Sequence, residues 1–341
     1  MTVPPSITIQ PFDQNPVAVW SDASISPTAL FQIIGSATDT SVITLKQMLL
    51  VGGDKGIWIH ADLGASDAVE LNVDLQGIQF STNKNGLVVE AGDSVAINIE
   101  ARHLKIRDYN IVPTGALPPT KQSQERGLVF TATQGSASAS PANINVDLIN
   151  FRSNGSFHTM NPTDLEGSPL GNSMRLIEVI AQGQQPQFAT IPPQSYPGQA
   201  IANVTLNLDG GNLFGAASDS PTLNSGWDVG IFTVAKKPTG ALDRDNFYAS
   251  VDVSLSGTIV SDMRKRGLYC VSEKSSRSVI DFSNGSLVEN IGSQTALNPG
   301  VSMGSDGIEL QVFDDDGGGY LEFSTSGNQN KISRCYTEPT T

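Results

Sequence analysis

Aromatic and charged side chains are both scarce in this sequence of 341 residues, at 6% and 16%. Gly, Ser, Asn and Thr instead recur between short β-branched runs, which is the composition of strands and turns and leaves helix a minor part. Basic residues are the scarcer charge, 20 against 34 acidic, for a formal charge of -14. A field of that sign repels the phosphates of DNA and RNA and anionic lipid headgroups, so neither nucleic acid nor a membrane surface is an expected partner. No apolar run is long enough to span a bilayer. Residues 1–10 (MTVPPSITIQ) lack the basic start and apolar stretch of a secretory signal, so the chain reads as soluble, with its compartment open.

The two cysteines, Cys270 in an apolar run and Cys335 near the end, make neither a metal-ligand spacing nor a disulfide framework, and are read as ordinary thiols. His60, His103 and His158 are likewise too far apart in sequence to form a ligand pair. No cofactor is expected. The one metal weighed is Ca²⁺ at Asp314, Asp315, Asp316, Gly317 and Gly318, where a solvated turn is the simpler reading because the spaced pattern of an EF-hand is missing.

What is present is a repeat. A small residue followed by alternating apolar positions returns as GIWIHA (Gly56), GLVVEA (Gly86), GLVFTA (Gly127), LIEVIA (Leu176), GIFTVA (Gly230), GLYCVS (Gly267) and GIELQV (Gly307). Between successive copies lies a second strand-like run: ELNVDL from Glu70, AINIEA from Ala96, NINVDL from Asn143, NVTLNL from Asn203, SVDVSL from Ser250 and SVIDFS from Ser278. A third follows almost directly: GIQFS (Gly77), LKIRD (Leu104), INFRS (Ile149), NLFGA (Asn212), TIVSD (Thr258) and SLVEN (Ser286). The repeat length varies from 30 residues (Gly56 to Gly86) to 54 (Leu176 to Gly230), which a solenoid absorbs as outward loops.

Period-2 alternation puts Ile57, Ile59, Val73, Leu75, Ile97, Ile99, Val146, Leu148, Leu206 and Leu208 inside as stacked ladders. The fold class is therefore all-β, a single-stranded right-handed parallel β-helix of about seven coils. Residues 1–40 are expected to form an N-terminal cap, 41–330 the helix and 331–341 a C-terminal tail, since the open ends of a solenoid need cover.

The strand order, with a tight bend between the second and third runs, resembles the pectin-lyase-like superfamily over about residues 41 to 330, as an architecture and not as a catalytic family. The resemblance implies that the GIWIHA-type runs are the sheet called PB2, the ELNVDL-type PB3 and the GIQFS-type PB1. It further implies that a ligand would lie along the outer face of PB1 and the T1 loops after it. The NTD and GDD signature of polygalacturonase-type hydrolases and the DPHE of alginate epimerases are missing.

Long loops follow the third runs at 112–125, 154–173 and 216–226, and loops of such length are often functional. Candidate catalytic residues on or beside that face are Arg107, Asp108, Arg152, His158, Asp164 and Asp262, with Lys105, Phe157, Glu166 and Arg264 as candidate substrate contacts. A glycosidase would pair carboxylates across the scissile bond, Asp108 with Asp262 or Asp164. A lyase would set a basic residue beside a uronate carboxylate, which suits Arg107 and Arg152 on successive coils better. The run Arg264, Lys265, Arg266 is read as capping a turn in solvent, or else as binding an anionic group.

Three functions stay open at this level. The first is a polysaccharide lyase or glycoside hydrolase, the second a non-catalytic structural or adhesive β-helix of a surface or viral fibre. The third is a small-molecule isomerase or cyclase whose pocket is lined by Phe157, Met160 and Leu165. The expected partner is a polysaccharide or small molecule, and homo-oligomerisation is not excluded.

Overall fold

The computed structural model describes residues 6–11, 17–20, 28–35, 42–61, 68–107, 125–134, 140–155, 174–183, 201–215, 226–236, 248–273, 275–291, 306–312, 319–327 and 329–333, and their regular structure is all β. The chain opens with β1 (Ser6–Ile9) and β2 (Val17–Trp20) and then repeats a triplet. The first triplets are β3 (Ala29–Gly35), β4 (Val42–Lys46), β5 (Met48–Val51); β6 (Lys55–Ala61), β7 (Val69–Gln76), β8 (Gln79–Ser81); and β9 (Asn85–Ala91), β10 (Val95–Arg102), β11 (Lys105–Arg107). Next come β12 (Arg126–Thr133), β13 (Ala142–Ile149), β14 (Arg152–Asn154); β15 (Arg175–Gln182), β16 (Ala202–Asp209), β17 (Asn212–Phe214); and β18 (Val229–Lys236), β19 (Ala249–Ser256), β20 (Ile259–Ser261). The last are β21 (Arg266–Ser272), β22 (Ser276–Ser283), β23 (Leu287–Glu289); and β24 (Asp306–Val312), β25 (Tyr320–Ser326), β26 (Lys331–Ser333).

Every third strand returns to the same sheet, parallel to its predecessor. Sheet A runs β1-β4-β7 through to β25, sheet B runs β2-β5-β8 through to β26, and sheet C runs β3-β6-β9 through to β24. This is a right-handed parallel β-helix. The GIWIHA-type runs form sheet C, the ELNVDL-type sheet A and the GIQFS-type sheet B.

Alternation fixes which residues face inward. In sheet A, Ile43, Val73, Ile99, Val146, Leu206, Val253 and Ile280 stack in one column, and Leu45, Leu75, Ala101, Leu148, Leu208, Leu255 and Phe282 in another. Nearly all of these are buried in one continuous core, and each inward position predicted from the sequence is buried. Burying such a side chain contributes roughly 1.5–3 kcal/mol, against about 1–2 kcal/mol per residue for ordering the backbone. A single coil could not meet that cost, so each depends on its neighbours.

Two local devices close the coil. Sheet A passes into sheet B through one residue with positive φ in the first six complete coils, at Gln47 (φ 52), Gly77 (φ 65), His103 (φ 58), Asn150 (φ 55), Gly210 (φ 67) and Gly257 (φ 56), and through two among the described residues of each later coil, Asn284 with Gly285 and Gly327 with Gln329. The amide of that residue still bonds along the stack, as from Gln47 to the Gln76 carbonyl (2.8 Å) and from His103 to the Ile149 carbonyl (2.9 Å). His103 thus holds a conformational post. The second device is the leading glycine of sheet C. A Cβ on Gly86 would stand 2.5 Å from the Gly127 carbonyl oxygen, and one on Gly230 would stand 2.6 Å from that of Gly267. The coils meet too closely there for a side chain.

The stack extends beyond the 41–330 span on both sides. Within residues 1–40, β1 pairs with β4, β2 with β5 and β3 with β6, while Lys331–Ser333 is the last strand of sheet B. There are eight complete triplets rather than seven, because ALFQIIG is a sheet C strand that lacks the leading glycine.

Replacing Gly86 by Val is expected to destabilise the chain by more than about 3 kcal/mol, since backbone must move to admit the branched Cβ. Thr131→Val, at an outward position of β12, should change stability by about 0.5 kcal/mol at most. Thermal and urea unfolding of the two variants would measure the contrast. Equal stabilities would refute the close-approach argument.

Candidate functional site

The short strands of sheet B bring the sequence-predicted basic residues together. Lys105 on β11 pairs with Arg152 on β14, with Gln79 before them and Asn212 after them in the same outward column. The backbone of Arg107 is in register with Ser81 and Asn154. Adjacent rungs are about 4.8 Å apart, so two cationic side chains leave the surface side by side. Lys105 is half-buried and Arg152 exposed, and among the described residues neither has a carboxylate partner.

Asp262 follows β20 and takes positive φ (57) at the corner between sheets B and C, as do Thr82 (φ 53) and Asn290 (φ 56) on other coils. Its Oδ2 accepts a hydrogen bond from Ser261 Oγ at 2.8 Å. The corner conformation and this local bond account for an Asp at that place. Asp108 follows β11 in sequence and lies outside the described residues, as do Phe157, His158, Asp164, Glu166, Met160, Leu165 and the Asp314 to Gly318 segment. The ends of β11 and β20 are three rungs apart in sheet B, about 14 Å, whereas paired glycosidase carboxylates need roughly 5–9.5 Å.

Arg264 is not in solvent, as a turn-capping run would place it. Its side chain is 7% exposed and that of Asp228 1%, and Arg264 Nε stands 3.5 Å from Asp228 Oδ1. The other carboxylate oxygen, Oδ2, accepts from the Met174 amide at 3.0 Å, so Asp228 ties two coils to the buried guanidinium. Arg264 Nη1 is buried without a hydrogen bond among the described residues. Beside this pair Trp227, fully buried, donates from Nε1 to Ser153 Oγ (3.1 Å) and the Gly155 carbonyl (3.2 Å). Arg266 bonds to Glu309 and sits over the Tyr269 ring at 4.6 Å.

The outward face of sheet C carries a network that the sequence reading passed over. Glu178 accepts from both Arg126 and Arg175, and the Arg175 guanidinium stacks 3.7 Å over Phe232. Phe232 meets Tyr269 at 5.4 Å between ring centroids, and Tyr269 donates to Gln311 Oε1 at 2.9 Å. Burial pushes the Arg175 guanidinium below its ordinary range, with Glu178 opposing, and pushes the Tyr269 phenol above its own, with Glu309 adding to the effect. A lone outward Glu or Phe in an alternating run reads as solvated. Only the register, which puts Arg126, Arg175 and Arg266 in one column and Glu178, Phe232, Tyr269 and Glu309 in the next, reveals the network.

Further along this face, Trp58 stacks on His60 at 4.1 Å, lies under the Lys55 ammonium at 4.4 Å and donates to Glu90 Oε2 at 2.7 Å. Its ring is thus engaged by its own strand and the next, which leaves little face for a sugar. Sheet A presents amides in register, with Asn98 donating to Asn72 Oδ1 (3.0 Å) and Asn145 donating to Asn98 Oδ1 (2.9 Å). Among the described residues no three His, Cys, Asp or Glu side chains gather to hold a metal, and no helix is long and apolar enough to cross a membrane.

Asp228→Asn should lower stability by about 3 kcal/mol, because it strands a buried cation. Adding Arg264→Met should restore part of that loss in urea melts, and a double variant weaker than the single one would contradict the pairing. Burial raises the Cys270 thiol to about 12. In a Cys335→Ser background, Cys270 should therefore resist alkylation at pH 8 until the chain is unfolded. Rapid modification of the native protein would show the strand to be open.

Comparison with protein-family models, with curated proteins and with solved structures finds no match for the chain. Its function is accordingly read from the faces of the solenoid.

Proposed function

We propose that the chain binds an acidic, uronate-bearing polysaccharide along the outward face of sheet B, centred on Lys105 and Arg152. The observation that carries this reading is the pairing of two cations on adjacent rungs, without carboxylate partners among the described residues, in a chain of charge -14. Clustered like charge opposes folding, so its presence calls for an anion that neutralises it. Rungs about 4.8 Å apart let successive side chains meet successive groups of a linear ligand. The resemblance of the strand order to the pectin-lyase-like superfamily supports the choice of face.

The same geometry suits a lyase better than a hydrolase. A cation against the uronate carboxylate favours loss of the neighbouring proton. The electron pair left behind forms the C4–C5 double bond as the C4–O bond breaks. A guanidinium holds its proton, so Arg152 fits the carboxylate, while Lys105, once deprotonated, would take the C5 proton and return it to the departing C4 oxygen. A hydrolase would need a pair of facing carboxylates, and among the described residues of sheet B no two carboxylates stand on adjacent rungs of one outward column.

A second reading, a non-catalytic adhesive or fibre β-helix, draws on the hydrogen-bonded amide ladder on the outward face of sheet A. The two readings part on turnover. Calorimetry with polygalacturonate, alginate and chondroitin, together with ultraviolet detection of unsaturated product, tests both. Binding that weakens with salt, and falls roughly a hundredfold, about 3 kcal/mol, in Lys105→Glu/Arg152→Glu, is the expected result. Product formation assigns the lyase, and binding without product assigns the adhesin. Equal affinity for neutral polysaccharides, or no binding at all, refutes the site.

A further inference from the structure

The exposed large hydrophobic side chains among the described residues are Ile7, Ile9, Val17, Ile34, Leu310, Val312 and Ile332. Every one belongs to the first strand or the last strand of its sheet. All but Ile34 stand in inward columns. Ile7 and Ile9 continue those of Ile43 and Leu45, Val17 that of Met48, Leu310 and Val312 those of Cys270 and Ser272, and Ile332 that of Val288. They are core residues whose next rung is not supplied by a described strand, with Ile7 57% and Ile332 51% exposed.

The backbone at these ends is open in the same way. Among the described residues, β1, β2 and β3 each pair on one side only, and so do β24, β25 and β26. Parallel edges of this kind are templates for a further strand, and proteins ordinarily guard them with inward-pointing charge, proline or a bulge. Within β1, β2 and β3 themselves there is neither a charged residue nor a proline. The charged residues of β24, β25 and β26, namely Asp306, Glu309, Glu322 and Lys331, all lie in outward columns.

We propose that copies of this chain stack end to end, the last coil of one against the first coil of the next, so that all three sheets run on across the junction. The occupant that fits is a second copy, because the two ends are complementary by construction. The final coil presents the edge that each internal coil presents to its successor, and the first coil presents the edge that each successor offers in return. The junction continues the coil-on-coil interface already made within the chain. Charge does not oppose this arrangement, because β1, β2 and β3 carry no charged side chain. A contact between unlike ends does not close on itself, so it generates a rod that lengthens with concentration.

Sedimentation equilibrium and small-angle scattering of the full chain over a wide concentration range test this. Mass should rise with concentration without stopping at a dimer, and the longest dimension should grow while the cross-section stays constant. Ile9→Lys blocks the first end and Val312→Lys the last, both at exposed positions where the fold should tolerate the change. Each variant alone should be monomeric, and an equimolar mixture should form a one-to-one dimer that grows no further. Should either variant melt early, Ile7→Thr and Leu310→Thr replace them at the same ends. A parent chain that stays monomeric at every concentration overturns the proposal. So does a singly blocked variant that still self-associates, which would mean contact through like ends or through the sides.

Discussion

Everything in this molecule depends on one contact, the parallel hydrogen-bonded seam between one coil and the next. No described strand of a coil pairs with another strand of the same coil; each internal strand pairs one triplet earlier and one triplet later. Inward columns, corner geometry and outward chemistry all follow from that seam. It sets the spacing of the rungs, and it turns residues tens of positions apart in sequence into neighbours.

The seam also explains which parts of the fold can be read from the sequence. Inward ladders are legible because alternation is local, so that Val73, Ile99 and Val146 announce themselves within their own strands. The leading glycine of GLVVEA and GLVFTA is legible as a repeat, although its cause, a carbonyl in the next coil, is not local. ALFQIIG has the alternation without the glycine, and so from sequence the first triplet reads as a cap. What joins coils through side chains is harder to see. Asp228 and Arg264 meet only because β18 and β21 are adjacent rungs, and nothing near either residue says so.

The candidate site divides along the same line. Lys105 and Arg152 could be picked out because their strands recur at recognisable places in the repeat, and sheet B sets them side by side. Asp262 looked chemical in sequence and is explained by its corner. Arg264 looked solvent-facing and is buried, because a basic run within a turn says nothing of a carboxylate waiting on the preceding coil. Charge in this chain therefore has three separate duties. It ties coils together at Asp228 and Arg264, clamps the outer face of sheet C through Arg126, Arg175 and Glu178, and stands unspent on sheet B.

The single-residue corner between sheets A and B reaches further than its size suggests. It recurs in six successive coils, from Gln47 to Gly257, whereas the other two corners differ widely from coil to coil in the length of chain they carry. That edge is a graduated ruler running along the rod, with one mark per turn. A cassette cut from one mark to the next, such as residues 211–257, begins and ends at equivalent points. The rod is therefore modular by whole turns, and its length can change through duplication or loss of a cassette without disturbing the turns that remain.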